Sequence, residues 1–360
     1  MTLRAIDLAS RGIGLVSPSP LVGCVIVGRD GNVAGEGFYT FDGVTHAEIR
    51  ALSQAGEHAR GGTAYVSLEP HDHHGKTPPC TDALIEAGIS RVVCPIEDPN
   101  PLVSGRGFES LRNAGVEVVT GLAAAEGAKL NEKFICWHTK HRPFVHLKLA
   151  MSLDGRISLD GSVSTALSGP EAIQRVHAFR HEHDAILVGG NTAMVDDPSL
   201  TDRSGGERRR KLVRVILDNR LRITSTLQIV ATARETPTIV FTTPEQDSRA
   251  DELRKHGVEV IASLSGGGRD LDGVLAELRS RAIQSVLVEG GTEIAGSFCD
   301  ARLVDKLTFI EAPLLIGGKN APLAIGGRGT SPLDSALKIA DLSVKKIGDD
   351  IEITGYPTAA

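Results

Sequence analysis

The sequence predicts two consecutive α/β domains, and three observations carry that prediction. The chain has 360 residues, which exceeds the size at which a single hydrophobic core usually stops growing. Short apolar runs typical of β-strands alternate with segments of about ten residues in which apolar side chains recur at helical spacing. The alternation pauses at a charged helical stretch near residues 123–143 and restarts at residue 144. We therefore expect one domain over residues 1–142 and a second over 143–360.

The first domain is predicted to be a layered sheet covered by helices. Apolar residues at helical spacing predict helices at 2–14, 46–59, 80–89 and 107–115. Runs rich in β-branched residues predict strands at 21–27, 63–70, 90–96 and 116–121. Strands separated by helices of this length indicate βαβ units.

The second domain repeats this pattern and then changes it. Apolar strands are predicted at 144–152, 184–190, 214–219, 237–243, 258–262 and 285–291, with helices between several of them. After residue 305 the helical alternation ends, and the segments 306–317 and 347–356 are predicted to be late strands paired antiparallel.

Composition and charge exclude several classes of protein. A hydrophobic fraction of 41% and a charged fraction of 23% are ordinary globular values. The formal net charge of -6 argues against nucleic acid as a partner, and the cluster Arg208–Lys211 is interpreted as a solvated loop. No stretch is long and apolar enough to cross a membrane, and Asp7 interrupts a signal-peptide pattern, so a cytoplasmic protein is expected. The five scattered cysteines do not suggest a disulfide framework.

The segments "THAEIRAL" and "EPHDHHGKTPPC" together suggest a metal centre. His46 and Glu48 flank one alanine, and His71 and Cys80 follow 25 and 34 residues after His46. By itself a histidine such as His46 near a helix start is more often a cap or a surface residue than a ligand. Three borderline ligands at separated positions, however, can leave the fourth position of a tetrahedral zinc open. Zinc-dependent nucleobase deaminases use this plan, with a glutamate that is not a ligand moving protons.

Three strand–glycine junctions in the second domain suggest a nucleotide site. They are "SLDGR" at 152–156, "VGGNT" at 188–192 and "VEGGT" at 288–292. A glycine pair between strand and helix lets backbone N–H groups approach a phosphate, although such a junction is as often a simple connector. The full GxGxxG pattern is missing, which disfavours an ordinary Rossmann fold. Lys148 precedes the first junction and is a candidate substrate contact.

At the motif level the chain resembles a known family. "SPSPLVGCVIV", "THAEIRAL", "SLEPHDHHGKTPPCTDALIEAGISRVV" and "EDPNPLVSGRGFESLRNAGVEV" are similar to the bifunctional riboflavin-biosynthesis deaminase-reductases of the RibD type. The resemblance extends over nearly the whole chain. It implies an N-terminal cytidine-deaminase-like three-layer α/β/α domain and a C-terminal dihydrofolate-reductase-like α/β domain. It also implies zinc and NADPH as cofactors, a phosphoribosylaminopyrimidine as substrate, and self-association.

In the first domain the resemblance implies that His46 and Cys80 are zinc ligands and that Glu48 is the proton shuttle. Position 71 would supply the remaining ligand, and there the sequence departs from the family, which has cysteine. Imidazole is an acceptable zinc ligand, so a site of two histidines and one cysteine is expected. Two alternatives remain open: His73 or His74 replaces His71 as ligand, or the pocket has lost zinc and deamination.

In the second domain the resemblance implies a cofactor site and a substrate site. The residues along the cofactor would be Ala150, Ala166, Thr192, Asp196, Gly291, Thr292, Glu293, Ile294, Ala295, Gly296 and Ser297. Asn219 and Arg220, at the end of the predicted strand 214–219, are further candidates for binding the 2′-phosphate of NADPH. The residues in contact with substrate would be Ser164, Arg180, Leu200, Arg203 and Glu289. The charges suit these roles, since arginine holds phosphate through forked donors and glutamate accepts hydroxyl hydrogen bonds.

The resemblance therefore implies an enzyme of flavin biosynthesis that deaminates a pyrimidine and then reduces its ribosyl group with NADPH. One alternative is a reductase whose deaminase half is degenerate at His71. A second alternative is a non-catalytic metal-binding or regulatory module fused to a nucleotide-binding domain.

Overall fold

The fold was analysed in a computed structural model, which describes residues 1–41, 44–73, 78–243, 247–262 and 270–358. The chain forms two compact units. The first unit contains Met1–Arg142 together with the short segment Glu207–Arg209, and the second contains Pro143–Gly206 and Arg210–Ala360.

The first unit is built on a five-stranded mixed sheet with the strand order β2-β1-β3-β4-β5. The strands are β1 (Gly23–Val27), β2 (Val33–Phe38), β3 (Thr63–Val66), β4 (Arg91–Cys94) and β5 (Glu117–Thr120). The helices are α1 (Thr2–Ser10), α2 (Ala47–Ala55), α3 (Cys80–Glu86), α4 (Arg106–Asn113), α5 (Ala124–Leu130) and α6 (Glu132–Thr139). Strands β3, β4 and β5 are parallel, as the βαβ prediction requires.

Strand β2 was missed by the sequence prediction, and it changes the topology. It pairs antiparallel with β1, and β1 in turn pairs antiparallel with β3. The predicted crossover through α2 therefore joins β2 to β3, with β1 between them. Because α2 packs directly on β2, a Cβ on Gly35 or Gly37 would overlap the helix backbone. The glycines that allow this close packing remove the β-branched signal by which strands are recognised.

Alternate residues of β1 separate the two faces of this sheet. Cys24 and Ile26 pack in a cluster with alanines of α2 and residues of α3 and α4. Val25 points to the opposite face, where it packs with Ala5 and Leu8 of α1. The unit therefore has three layers, with helices on both faces of the sheet.

The second unit contains a nine-stranded sheet with the order β10-β9-β8-β7-β11-β6-β12-β14-β13. Its strands are β6 (Phe144–Ser152), β7 (Ala185–Gly189), β8 (Val213–Leu217), β9 (Thr238–Thr242), β10 (Glu259–Ala262), β11 (Ser285–Val288), β12 (Lys306–Ala312), β13 (Ile339–Ile347) and β14 (Asp350–Pro357). Its helices are α7 (Pro170–Glu182), α8 (Gly190–Asp196), α9 (Gln228–Ala231), α10 (Asp247–Lys255), α11 (Leu271–Ser280) and α12 (Thr292–Asp300).

The seven strands from β10 to β12 in this order are parallel, whereas β14 pairs antiparallel with β12 and with β13. This confirms the predicted change to antiparallel pairing after residue 305. The segment 306–317 is a strand only as far as Ala312, and the predicted strand 347–356 is the end of β13, its turn and most of β14. Because the parallel strands share one direction, the segments that follow them meet at a single edge of the sheet.

Helices cover the second sheet on both faces. On β7, Ala185 and Leu187 pack in the cluster that contains residues of α11 and α12, whereas Ile186 and Val188 pack with residues of α8, α9 and α10. This unit too has three layers.

The basic cluster is not the solvated loop that the sequence suggested. Arg209 donates hydrogen bonds to the backbone carbonyls of Gly14 and Ser17 within the first unit. Arg210 donates to the carbonyls of Ala282 and Arg281. These cations are held by carbonyl oxygens, which removes the cluster as an argument for nucleic-acid binding.

None of the helices in the described part of the chain has the length and apolar character that a bilayer crossing requires. All five cysteines are free thiols, and four of them are buried. Apart from Cys80, which belongs to the cluster described below, they are core or half-buried residues.

Candidate active sites

Three side chains of the first unit form a cluster suited to a metal ion. The donor atoms of His46, His71 and Cys80 all lie within 4.8 Å of one another. His46 is the residue before α2, and Cys80 is the first residue of α3. His71 lies in the segment after β3. The fold therefore brings together the three side chains that the sequence suggested as ligands of one metal ion.

The segment that carries His71 is held at two points, by the backbone of His71 and by the side chain of Glu69. Its carbonyl oxygen accepts a hydrogen bond from the N–H of Thr81, 3.3 Å away, which ties it to the first turn of α3. Two residues earlier, the buried carboxylate of Glu69 accepts hydrogen bonds from the N–H groups of Asp98, Gly105 and Phe108, at 3.0, 3.0 and 3.2 Å. The start of the ligand segment is therefore clamped to the N-terminal end of α4.

Glu48 lies in the first turn of α2 and is only 2% exposed. Its carboxyl group hydrogen-bonds the Cys80 thiol, and its Oε2 atom has no hydrogen-bond partner among the described residues. Burial raises the pKa of Glu48 above its ordinary value. A buried carboxyl group with an unused oxygen beside three ligand atoms is placed to exchange protons with a molecule bound there.

The protonation of the two flanking ligands follows from the same burial. Burial, followed by the charges of His46 and His73, lowers the pKa of His71 to about 4, so its imidazole is neutral near pH 7. Burial and the charge of Glu48 raise the pKa of the Cys80 thiol. A divalent cation among these donors would reverse the second effect, because its charge favours the thiolate.

The donor set fits zinc, which takes imidazole nitrogen and thiolate sulfur in tetrahedral sites. Three protein ligands leave a fourth position open. His73 stacks edge-on to His71, with ring centroids 5.3 Å apart, but it is not a member of the cluster found among the described residues. His74, the other alternative ligand, lies outside the described residues.

In the second unit the three glycine junctions lie together. They follow β6, β7 and β11, and β11 lies between the other two in the sheet. A Cβ on Gly291 would lie 3.3 Å from Oγ1 of Thr192, so the junction after β11 contacts helix α8, which follows β7. The segment after β8, with Asn219, lies next along the same edge.

The predicted cofactor-binding residues 291–297 fall into two groups, one accessible at the start of helix α12 and one buried further along it. Gly291, Thr292 and Glu293 lie at the helix start, at the edge of the sheet, and are at least partly accessible. Ala295 is fully buried, and a Cβ on Gly296 would overlap the backbone of Gly326. The first three residues are therefore placed to contact a ligand, whereas Ala295 and Gly296 serve helix packing.

Three charged side chains meet beside these junctions. Arg180 of α7 forms a forked pair with Glu289, with Nε–Oε1 and Nη2–Oε2 distances of 2.8 and 3.0 Å. Although burial alone would raise the pKa of Glu289, the charges of Arg180 and Lys148 hold it below its ordinary value. Burial lowers the pKa of Lys148. Part of the arginine fork that we expected to grip phosphate is thus occupied by Glu289.

The remaining candidates are less closely grouped. Ser164 and Ala166 lie on an exposed irregular segment between β6 and α7, and Asp196 is exposed at the end of α8. Leu200 is 3% exposed and packs in a core cluster, so only its backbone is available to a ligand. Arg203 is exposed and contacts His177 of α7.

Sequence reasoning missed Glu69 and His177. Glu69 reads as the polar end of a strand, and its three partners lie 29 to 39 residues away. His177 occupies an ordinary position in an amphipathic helix. The only available signals were an acidic residue directly before a candidate ligand segment and a histidine three residues before Arg180.

Two family models match the chain in consecutive regions. The cytidine and deoxycytidylate deaminase zinc-binding region matches residues 1–96, and the RibD C-terminal domain matches residues 143–353. Riboflavin biosynthesis protein RibD of Actinobacillus pleuropneumoniae is 41% identical over 97% of this chain and 92% of its own length. The protein of the same name from Aquifex aeolicus is 40% identical over 97% of this chain and 95% of its own.

Solved structures agree over the whole chain. RibD of Acinetobacter baumannii has a TM-score of 0.86 at 36% identity and covers 99% of this chain and 98% of its own. The Thermotoga maritima diaminohydroxyphosphoribosylaminopyrimidine deaminase/5-amino-6-(5-phosphoribosylamino)uracil reductase has a TM-score of 0.86 at 37% identity, covering 99% and 97%. These matches confirm the predicted fold class, and they show that the chain belongs to the RibD family of riboflavin biosynthesis proteins.

Proposed function

We propose that this chain carries out two successive steps of riboflavin biosynthesis. The first unit deaminates 2,5-diamino-6-(5-phosphoribosylamino)pyrimidin-4-one, and the second reduces the ribosyl group of the product to a ribityl phosphate with NADPH. The observation that carries the proposal is the cluster of His46, His71 and Cys80 beside Glu48, in the region matched by a zinc-binding deaminase model.

For deamination, His46, His71 and Cys80 would hold zinc, with His71 as the third ligand. Zinc in such a site supplies a Lewis acid that activates water for attack on the ring carbon bearing the amino group. Glu48 accepts one proton from that water and delivers it to the ring nitrogen. It then takes the second proton from the hydroxyl group added to the ring carbon and gives it to the departing amine. Its raised pKa suits a group that must both take and give a proton near neutral pH. Overall, water replaces the amino group, and ammonia leaves.

For reduction, NADPH supplies the hydride, and the protein positions the reactants. The helix start at Gly291–Glu293 and the adjacent junction at Thr192 border the edge where the cofactor phosphates would bind. Arg180, Lys148 and Glu289 form a largely buried charged group beside it. Glu289 is suited to accept hydroxyl hydrogen bonds from the sugar, and Arg203, exposed beside this group, is suited to the phosphate.

The proposal extends to the surroundings of the enzyme. We infer a phosphoribosylaminopyrimidine as the small-molecule partner, no nucleic-acid or membrane partner, a cytoplasmic location and self-association of the chain. The reductase-only alternative is less well supported. The donor atom of His71 lies within 4.8 Å of those of His46 and Cys80, so the histidine at position 71 can still complete a three-ligand metal site.

The test measures three quantities on one preparation: zinc per chain, ammonia released from the diaminopyrimidine substrate, and substrate-dependent oxidation of NADPH. About one zinc per first unit and both activities are expected. His71→Cys is the matched ligand control and is expected to retain zinc, whereas His71→Ala is expected to lose zinc and ammonia release but keep NADPH oxidation on deaminated substrate. Wild-type protein without zinc and without ammonia release would leave only the reductase half of the proposal.

A further inference from the structure

Helix α7 holds the loop at 201–203 through three side chains on one face. Residues at positions i, i+3 and i+4 of a helix share a face, and here they are His177, Arg180 and His181. Arg180 donates from Nη1 to the carbonyl of Thr201 at 3.1 Å, and His181 contacts the carboxylate of Asp202 at 2.9 Å. His177 contacts the next loop residue, Arg203. The loop is therefore fixed to the helix residue by residue.

The contact between His177 and Arg203 has an unusual form, because both ring nitrogens face a donor. Nδ1 lies 3.3 Å from the backbone nitrogen of Arg203, and Nε2 lies 3.2 Å from its side-chain Nε. Both arginine atoms carry a hydrogen. A neutral imidazole has one acceptor nitrogen and one N–H group, and a protonated imidazole has no acceptor. Only one of the two hydrogen bonds can therefore exist at a time.

The ring is neutral near pH 7, so its tautomer decides which of these two hydrogen bonds forms. His177 is 8% exposed. Burial, the first cause, and then the charges of Arg180 and Arg203 lower its pKa, against the opposing charges of Glu289 and Asp202. With a proton on Nδ1 the ring holds the Arg203 side chain. With the proton on Nε2 it holds the Arg203 backbone and releases the guanidinium.

We propose that His177 is a positioning residue for Arg203 that changes tautomer when a sugar phosphate binds. In the free protein Nε2 accepts from Arg203 Nε. When the phosphate draws the guanidinium away, one proton leaves Nδ1 and one arrives at Nε2 through solvent, so the ring stays neutral. Nδ1 then accepts from the Arg203 N–H and keeps the loop in place. This inference rests on the proposed function, which gives Arg203 the substrate phosphate.

Two conservative variants separate the two bonds. In His177→Asn the amide oxygen takes the place of Nδ1, which keeps the backbone bond and frees the guanidinium. In His177→Gln the amide oxygen takes the place of Nε2, which keeps the guanidinium in its ligand-free position and removes the backbone bond. We expect the KM for the phosphorylated pyrimidine to stay within about twofold of wild type in the Asn variant and to rise about tenfold in the Gln variant. Neither kcat nor the Kd for NADPH should change by more than about twofold, since the hydrogen bonds described for the ring go to Arg203 and not to the glycine junctions. 

The direct readout is nitrogen NMR of the full chain labelled with 15N-histidine, because a bare ring nitrogen and a protonated one have different shifts. His177 is assigned by the signal that disappears in His177→Gln. Addition of ribose 5-phosphate is expected to move the bare-nitrogen signal of this ring from Nε2 to Nδ1. An unchanged tautomer in the saturated complex, equal KM values in the Asn and Gln variants, or a parallel change in NADPH binding would overturn the inference.

Arg203→Ala distinguishes this failure from failure of the proposed function. If ribose 5-phosphate binds Arg203→Ala as tightly as wild type, the role of Arg203 in the proposed function is wrong, and the inference about His177 falls with it. If Arg203→Ala binds ribose 5-phosphate more weakly and His177 keeps one tautomer throughout, the proposed function stands and only the inference is wrong.

Discussion

Replacing Glu69 with alanine is expected to destabilise the first unit strongly. The Glu69 carboxylate is 4% exposed and is the acceptor for three backbone N–H groups, those of Asp98, Gly105 and Phe108. Each buried N–H that loses its acceptor costs about 1–3 kcal/mol, and the three share one site, so their costs are not fully additive. The expected loss in the free energy of unfolding is about 3–5 kcal/mol.

Glu69→Gln is the matched control. Its amide oxygen can still accept from the N–H groups of Asp98 and Gly105, while its NH₂ group faces the N–H of Phe108. One unsatisfied donor instead of three predicts a loss of about 1–2 kcal/mol. The ordering of wild type, Gln and Ala therefore tests the hydrogen bonds separately from the charge and volume of the side chain.

The assay is urea unfolding followed by tryptophan fluorescence in the presence of a chelator. The chain has one tryptophan, Trp137 in α6, so the signal reports the first unit. With an m-value of about 1–3 kcal/mol per molar urea, the alanine variant should unfold about 2 M earlier than wild type. Because His71 follows the clamped segment, zinc affinity should fall as well. A midpoint shift below about 0.5 M would refute the clamp.

Three other substitutions have defined outcomes. Glu48→Gln should keep zinc and lower ammonia release by at least about 100-fold, since an amide cannot exchange the proton; loss of zinc would make Glu48 a ligand. Gly107→Ala should lower zinc content and the Trp137 midpoint, because the added Cβ overlaps the carbonyl oxygen of Pro70, whereas Ser110→Ala in the same helix should change neither. Burial, then the charge of Glu69, raises the pKa of Asp98 to about 6. The folded state then holds a proton that the unfolded chain releases from about pH 4, so stability falls as pH rises from about 4 to 6. Asp98→Asn should therefore stabilise the first unit by about 1–3 kcal/mol at about pH 7 and by little at about pH 4; equal effects at both pH values would contradict this reasoning.

Local pattern was sufficient where the structure is determined by neighbouring residues. The β-branched runs that became β7, β8, β9 and β11 were predicted to within three residues of their ends, because these strands are buried on both faces and appear as continuous apolar segments. Strand β2 failed for the opposite reason, since Gly35 and Gly37 are required by the packing of α2, and nothing in their own neighbourhood indicates a strand.

The candidate sites show the same division. Residue type and spacing selected His46, His71 and Cys80 as candidate ligands and Glu48 as their neighbour, because metal ligation restricts which side chains can serve. The residues that hold those groups in place were not predictable in this way. In the sequence Glu69 looks like any other acidic residue and His177 like any other helical histidine. Only the fold places backbone N–H groups of distant residues around them.

By itself the sequence determined that the chain forms two α/β units and which side chains are chemically able to bind metal, phosphate and cofactor. Only the tertiary structure decided which of these groups meet. Arg180 and Glu289 are 109 residues apart. They pair because helix α7 packs on strand β11, which lies between β7 and β6 in the sheet and is followed directly by Glu289. Strand order arises from long-range burial of apolar faces, which no local pattern records.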